Sequence, residues 1–158
     1  MLKLNSIDIK ILKALQENSD ISNLELAEKV GLSPSPCLRR VRLLKDAGII
    51  KTSVMLLDAN EIGLKVNVFV NVTLEKQVEE RLEAFEKAIR LRPEVMECYL
   101  MTGESDYLLR VVVPDLERYE QFLKYHLTTI TGVANIKSSF ALNQISYKTA
   151  LPLQHLPE

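Results

Sequence analysis

The stretch GLSPSPCLRRVRLL, residues 31–44, places two prolines shortly before three arginines. Ser33 is a residue type that caps helices, and Pro34 suits the first helical position because the N–H that proline lacks would have no partner there. Gly48 is typical of the left-handed residue that follows a helix. The stretch therefore predicts a helix that begins at Ser33–Pro34 and ends shortly before Gly48.

The predicted helix has two different faces when successive residues are turned by about 100°. One face is apolar and would pack in a core: Cys37, Val41 and Leu44. Ser35, Arg39 and Arg42 lie on the opposite face. Arg40 lies on a flank, where it suits a phosphate or an intramolecular carboxylate better than the edge of a base. Because many arginines on helices are merely solvated, this face alone does not establish a nucleic-acid site.

Two shorter helices are predicted ahead of this one. Apolar residues recur at helical spacing within residues 7–15, after a cap at Asn5 or Ser6. Ser22 and Glu25 have the spacing of a capping box at the start of the second helix. Three short helices in this order have the layout of a helix-turn-helix domain whose third helix enters the major groove of DNA.

The charge of the chain divides just after these helices. Residues 1–52 carry nine lysines and arginines against six acidic residues, a net charge of +3, whereas the remainder has a net charge of −4. The basic part favours contact with a polyanion, and the acidic part does not. The apolar pattern of residues 49–58, after the third helix, predicts a strand. This strand would be either a small wing or the start of a hinge to the next domain.

The most regular strand pattern in the chain is LKVNVFVNVTL, residues 64–74. Strand and helix patterns then follow in the order β-α-β-β-α-β, with Val78 and Leu116 on the apolar stripes of the two helices and a last strand over about 133–146. This is the order of a ferredoxin-like fold, an antiparallel sheet covered by two helices on one face. The other face of the first strand is mixed: Lys65, Asn67, Phe69, Asn71 and Thr73. We predict that it packs against a second copy of the chain.

The sequence therefore predicts an α+β protein: an N-terminal (winged) helix-turn-helix domain and a C-terminal ferredoxin-like βαββαβ domain. We divide it into four parts: a helix-turn-helix domain, 1–52; a linker or hinge strand, 53–63; a ferredoxin-like domain expected to form oligomers, 64–148; and a C-terminal tail, 149–158.

Several classes of protein are disfavoured. No apolar run approaches the roughly 20 residues of a membrane helix, and no signal-peptide pattern occurs, so we expect a cytoplasmic protein with no membrane partner. Cys37 and Cys98 lack metal-ligand spacing and are expected to be buried, reduced thiols. His126 is expected to be a structural helix residue. With no nucleotide-binding or nucleophile-elbow motif, we expect neither catalysis nor a metal or cofactor.

The segment TGESDY, residues 102–107, joins two predicted strands. Ordinary turn chemistry accounts for Gly103. Alternatively, exposed backbone amides in this turn, together with the carboxylates of Glu104 and Asp106, would suit a zwitterion, with the amides on its carboxylate and a side-chain carboxylate on its ammonium group.

Two segments resemble a known family. ISNLELAEKVGLSPSPCLRRVRLLKDAGII, residues 21–50, closely resembles the DNA-binding segment of the Lrp/AsnC, or feast/famine, transcription regulators. GESDYLLRVVVPDLERYEQF, residues 103–122, resembles their effector-binding segment, and the resemblance extends from residue 4 to about 148. It departs at Asn5, where many members have Asp, and at Glu104 and Ser105, which leaves the identity of the ligand open.

The resemblance implies double-stranded DNA as a partner, dimers that assemble into octamers, and an amino-acid effector, favoured to be leucine or methionine, held between dimers. Effector binding would alter how dimers assemble and thus how DNA is wrapped. We expect the DNA contacts to be Ser33, Pro34, Ser35, Arg39, Arg40 and Arg42, with Arg40 and the helix start on phosphates. The implied effector site consists of Leu100, Met101, Thr102, Gly103, Glu104, Ser105, Asp106, Ser138, Ser139 and Phe140.

Two alternatives stay open at this point. Some relatives with the same two-domain plan are sirohaem decarboxylases, and such an enzyme would bind a tetrapyrrole, although the scarcity of histidine argues against it. A sensing module that acts through protein contacts would instead fail to bind duplex DNA at any salt concentration.

Overall fold

Three helices occupy the first third of the chain: α1 (Ser6–Glu17), α2 (Asn23–Val30) and α3 (Pro34–Asp46). The computed structural model describes residues 2–156. At the start of α1, the Asn5 side chain accepts a hydrogen bond from the Asp8 N–H, and the Asp8 carboxylate accepts one from the Asn5 N–H. Ser22 and Glu25 form the same reciprocal pair before α2. Both predicted helix starts are confirmed, with Asn5 as the cap of α1.

The third helix has the predicted bounds, but one detail of its start differs. Ser33 occupies the N-cap position, yet its side chain makes no capping hydrogen bond. The start of α3 therefore depends on Pro34, whose fixed φ is already helical. Gly48 has a φ of 71°, the left-handed geometry that ends the helix.

The helices of this unit enclose a small apolar core. Its buried members are Ile11, Leu12, Ala14, Leu26, Ala27, Val30, Cys37 and Leu44. The unit extends to Met55 and also includes residues 145–156. Leu153 packs against the core, and the Gln16 side-chain amide bonds both the N–H and the C=O of Leu151. The C-terminal segment thus contributes to the helical unit.

The second unit, Leu56–Gln144, contains a four-stranded antiparallel sheet and two helices. Its elements are β1 (Val66–Leu74), α4 (Glu79–Arg90), β2 (Val95–Leu100), β3 (Tyr107–Val113), α5 (Leu116–Phe122), a π-helical turn (Leu123–Leu127) and β4 (Val133–Phe140). The strand order is β2-β3-β1-β4. The predicted ferredoxin-like fold is therefore confirmed.

The core of the second unit lies between the sheet and the helices. Its main members are Val68, Val70, Val72, Phe85, Ile89, Leu109, Val111, Tyr119, Phe122 and Leu127. Because side chains alternate across a strand, Asn67, Phe69 and Asn71 lie on the opposite side of the sheet, away from the helices. We call that side the open face.

The predictions for residues 49–65 and for the end of the last strand are wrong. No strand forms within residues 49–65 of the described chain, so the wing strand and the hinge strand are both missing. Val54 and Met55 are exposed there, and none of the four paired strands reaches them. The last strand ends at Phe140 rather than near residue 146, because its partner β1 begins at Val66 and the Ala141 N–H makes its last bond to Asn67.

Two residues assigned to apolar helix stripes are exposed instead. Val78 is the N-cap of α4, and Leu116 is the first residue of α5. Both precede the helical turns that pack on the sheet. Cys98 is also exposed, on the edge strand β2, whereas Cys37 is buried as expected. None of the helices within residues 2–156 is long and apolar enough to cross a membrane.

Candidate functional site

The outward face of α3 presents most of the side chains that the sequence assigned to DNA. Ser33, Pro34, Ser35, Arg39 and Arg42 are all exposed. This set combines hydroxyl groups and two guanidinium groups, which are donors suited to base edges and phosphates.

The opposite face of α3 is fixed in the core. Cys37 and Leu44 have no exposed surface. Burial raises the pKa of the Cys37 thiol, which suits a packing residue and not a nucleophile. The predicted rotation of α3, with Cys37 and Leu44 inward and the arginines outward, is therefore confirmed.

Arg40, on the flank of α3, pairs with Asp8 of α1. Its Nε and Nη2 atoms donate to the two carboxylate oxygens of Asp8, each at 2.7 Å. The Asp8 side chain has no exposed surface, that of Arg40 is 28% exposed, and the hydrogen bond to Asp8 raises the pKa of Arg40. Of the two partners considered for Arg40, the structure gives the intramolecular acid. This bidentate pair fastens α3 to α1 and is the contact that the structure shows for Arg40.

A second contact that the sequence did not predict orients the start of α3. The Asn23 side-chain amide donates to the Pro34 C=O at 2.9 Å. Asn23 lies at the start of α2, so the first turns of both helices are joined. The only sequence signal for Asp8 was its suitability as a capping residue of α1, and Asn23 gave no signal.

The predicted effector loop is the turn between β2 and β3. Gly103 has a φ of 125°, which residues with a side chain rarely adopt. The Met101 N–H donates to the Asp106 C=O at 2.8 Å and closes the loop. The exposed residues of this segment are Leu100, Met101, Thr102, Gly103 and Glu104. Ser105 is half-buried, and its hydroxyl donates to the Asn71 side chain.

Asp106 is buried in this loop and both of its carboxylate oxygens are used. Oδ2 accepts from the Leu74 N–H and Oδ1 accepts from the Gln77 amide, each at 2.6 Å. These bonds join the loop to the end of β1 and to the connection that leads into α4. The chain itself thus uses both oxygens of Asp106, and Glu104 is the exposed carboxylate of the loop.

The structure does not bring the proposed facing wall to this loop within one chain. Ser138 and Phe140 lie on β4, which is separated from β2 by β3 and β1. Both contact Tyr119 of α5: its hydroxyl bonds Ser138, and its ring meets Phe140 edge-on. Ser139 lies between them and so points to the open face. The three residues cannot form one wall within a single chain.

The open face carries a polar cluster that the sequence did not predict. Arg110 donates from Nη1 to Glu97 at 2.9 Å and from Nε to Asn67 at 3.2 Å, and the Tyr99 hydroxyl donates to Glu97 at 2.7 Å. Hydrogen bonds from Tyr99 and then Arg110 lower the pKa of Glu97. Phe69 lies opposite Arg110 in the register and is exposed. The sequence signal was Arg110 itself, which interrupts an otherwise apolar strand.

Two protein families match this chain. The family described as the Lrp/AsnC ligand binding domain matches residues 67–151, and the one described as winged helix-turn-helix DNA-binding matches residues 4–51. The outward face of α3 lies within the second range, and the Gly103 loop and the Arg110 cluster of the open face lie within the first.

Relatives match over nearly the whole chain. The Bkd operon transcriptional regulator of Pseudomonas aeruginosa is 48% identical over 97% of this chain and 100% of its own length. The DNA-binding transcriptional activator DecR of Escherichia coli K12 is 39% identical over 96% and 99%. Among solved structures, a transcriptional regulator from Neisseria meningitidis in complex with L-Met superposes with a TM-score of 0.94 at 41% identity, covering 98% of this chain and 100% of its own.

Proposed function

Because the chain belongs to the Lrp/AsnC family of transcriptional regulators, we propose that it binds double-stranded DNA sequence-specifically through α3 and responds to a small amino acid. It is a regulator and not an enzyme, in keeping with the relatives that it matches. The observation that carries the proposal is that the three arginines of α3 have different environments. Arg40 is fastened to Asp8, whereas Arg39 and Arg42 remain exposed beside the hydroxyl groups of the helix start.

The proposed DNA surface consists of Ser33, Pro34, Ser35, Arg39 and Arg42. Pro34 and Pro36 carry no N–H, so the start of α3 offers phosphates chiefly the hydroxyl groups of Ser33 and Ser35. The two arginines one to two turns later reach base edges. Arg40 acts through its pair with Asp8, as a positioning residue for the helix.

Replacing Arg42 by alanine should reduce discrimination between DNA sequences. If Arg42 makes a bidentate contact with a base, the difference in binding free energy between a selected duplex and a scrambled one falls by about 1 to 3 kcal/mol. The duplex is first selected from a random library with the parent protein, and both affinities are then measured at one salt concentration. Arg118→Ala is the matched control, because it removes an exposed arginine from α5, and it should discriminate as the parent does. If Arg42→Ala binds both duplexes as the parent does, the assignment of Arg42 is wrong.

We propose that the effector is an amino acid, favoured to be leucine or methionine, at the Gly103 loop. The loop offers backbone amides for a ligand carboxylate and the exposed Glu104 for an ammonium group. The complex of the Neisseria meningitidis regulator with L-Met supports this class of ligand. Because Ser138–Phe140 lie apart from the loop in one chain, a site that includes them requires a second copy.

Replacing Glu104 by glutamine should weaken amino-acid binding and leave the fold intact. Removing a carboxylate that pairs with an ammonium group is expected to lower affinity by about tenfold, since charge-assisted hydrogen bonds are the strong ones. A thermal-shift screen of the twenty amino acids identifies the ligand, because a ligand that binds only the native state raises its stability. Calorimetry then compares Glu104→Gln with Glu120→Gln, an exposed control on α5. Equal affinity in both variants would remove Glu104 from the site.

We also propose that the chain forms dimers through the open face, and that dimers assemble further, up to octamers. Phe69 and Tyr99 are exposed on this face around the Arg110 cluster. Such a mixture of apolar rings and paired charges suits an interface between copies. We propose the cytoplasm as its location, and we assign it no cofactor.

A further inference from the structure

A groove lies between the C-terminal part of α4 and the π-helical turn with the residues that follow it, apart from the loop and from the open face. It encloses about 420 Å³. Its apolar wall is formed by Ala84, Ala88, Leu91 and Ile130. Its polar groups come from Arg92, Tyr125, His126, Thr129 and Thr131. Neither the proposed DNA surface nor the proposed amino-acid site uses any of these residues.

The cation in this groove is held in place by a neutral partner. Arg92 Nη1 lies 3.0 Å from His126 Nδ1. Since arginine only donates hydrogen bonds, Nδ1 must accept, and the imidazole proton is then on Nε2. His126 therefore orients the guanidinium group without neutralising its charge.

Arg92 has no carboxylate partner among the described residues. The ion pairs of residues 2–156 involve Lys29, Arg40, Arg90 and Arg110. Arg92 itself is half-buried. A partly buried charge is stabilised by an opposite charge, so an anion in the groove would supply what the chain does not.

The charge of the lining also decides the class of anion. Among the described lining residues there is no Asp or Glu, so nothing in the groove would pair with an ammonium group. A zwitterionic amino acid would therefore bury its ammonium group without a partner, which is costly. The apolar wall favours a hydrocarbon chain on the anion.

We propose that this groove binds a small apolar monocarboxylate that lacks an amino group, with Arg92 on the carboxylate and His126 as its positioning residue. The hydrocarbon chain lies along Ala84, Ala88 and Leu91. The regulator thereby has a second ligand site whose chemistry differs from that of the Gly103 loop, because one site requires an ammonium group and the other rejects it.

Leucine and isocaproate, which is leucine without its amino group, form a matched pair of probes. Calorimetry on the full-length protein should show that isocaproate binds and that saturating leucine does not compete with it. Arg92→Gln should weaken isocaproate binding by about tenfold, the loss expected for a charge-assisted pair. Arg90→Gln is the matched control, because Arg90 is an exposed arginine two residues earlier that pairs with Glu86, and it should bind isocaproate as the parent does.

Two further variants keep the proposal open to contradiction. Arg92→Lys retains the charge and should bind isocaproate with intermediate affinity, which guards against a folding defect in Arg92→Gln. Glu104→Gln should bind isocaproate as the parent does, so failure of the amino-acid site and failure of this site are distinguishable. The proposal is overturned if the parent does not bind isocaproate at millimolar concentration, if leucine competes for the same site, or if Arg92→Gln binds isocaproate unchanged.

Discussion

Replacing Asp8 by alanine should cost the helical unit about 3 kcal/mol of unfolding free energy, a large share of the stability of a small domain. Asp8 is fully buried, caps α1 through the Asn5 N–H and accepts both hydrogen bonds from Arg40. Its removal leaves Arg40 without a counter-charge and frees α3 from α1. We place the loss near the lower end of that expected for a buried pair, because Arg40 is 28% exposed and can turn toward water.

The chain offers two separate reporters for this test. It has no tryptophan, and four of its five tyrosines, Tyr99, Tyr107, Tyr119 and Tyr125, lie in the sheet unit. The fifth, Tyr147, lies in the C-terminal segment of the helical unit and is replaced by phenylalanine in every protein of this test. In Asp8→Ala, the part of the helical circular dichroism that comes from α1, α2 and α3 should be lost at a lower denaturant concentration, while the part from α4 and α5 and the tyrosine fluorescence transition stay near their parental positions. Glu17→Ala, which breaks the exposed pair with Lys29, is the control and should change little. Equal transitions for Asp8→Ala and the control would refute the role given to Asp8.

A double substitution measures the interaction energy between Asp8 and Arg40 apart from the effect of each side chain alone. Asp8→Ala combined with Arg40→Ala should be less destabilising than the sum of the two single changes, by at least about 1 kcal/mol, because the second change removes the unpaired partner left by the first. Strict additivity would mean that the two side chains do not stabilise each other.

Asp106→Ala should destabilise the sheet unit by about 3 kcal/mol, because it removes two charge-assisted hydrogen bonds and leaves the Leu74 N–H without its acceptor. The bonds to Leu74 and Gln77 are the contacts that hold the loop against the end of β1. Amino-acid binding should weaken too, as an indirect consequence of a loosened loop.

Tyrosine fluorescence measures this effect, since Tyr107 follows Asp106 directly and is buried in the sheet core. Glu104→Ala is the matched control, because it removes a carboxylate from the same loop that is exposed. We expect the control to keep the parental unfolding transition and to lose amino-acid affinity. A parental transition in Asp106→Ala, with ligand binding abolished, would instead restore Asp106 as a direct ligand residue.

The elements that were predicted correctly have local signals. The start and end of α3 are encoded within a few residues, by Pro34 and by Gly48, and alternation alone gives β1 its buried face. The rotation of α3 followed from the same periodicity. Where these signals ended, as in residues 49–65, the predicted strand did not form, because a strand also needs a partner.

The partners of charged residues were not predictable in the same way. Asp8 and Arg40 are 32 positions apart, as are Leu74 and Asp106, and only the packing of the elements brings them together. The sequence places Asp106 and Glu104 together beside the backbone amides of a turn, which suggests a zwitterion site but does not tell that Asp106 is buried. Its burial depends on β1 ending beside the loop, a property of the sheet order and not of the segment TGESDY.

The most direct test of the proposed function is whether the amino-acid ligand and DNA affect each other's binding. Fluorescence anisotropy with the selected duplex, at fixed salt, should show that leucine or methionine changes the protein concentration at half-saturation by about fivefold or more in the parent protein. Glu104→Gln should show no such change. Because linkage is reciprocal, the duplex should alter the amino-acid affinity by the same factor. Superimposed DNA-binding curves of the parent protein, with and without an amino acid that binds it, would contradict the account.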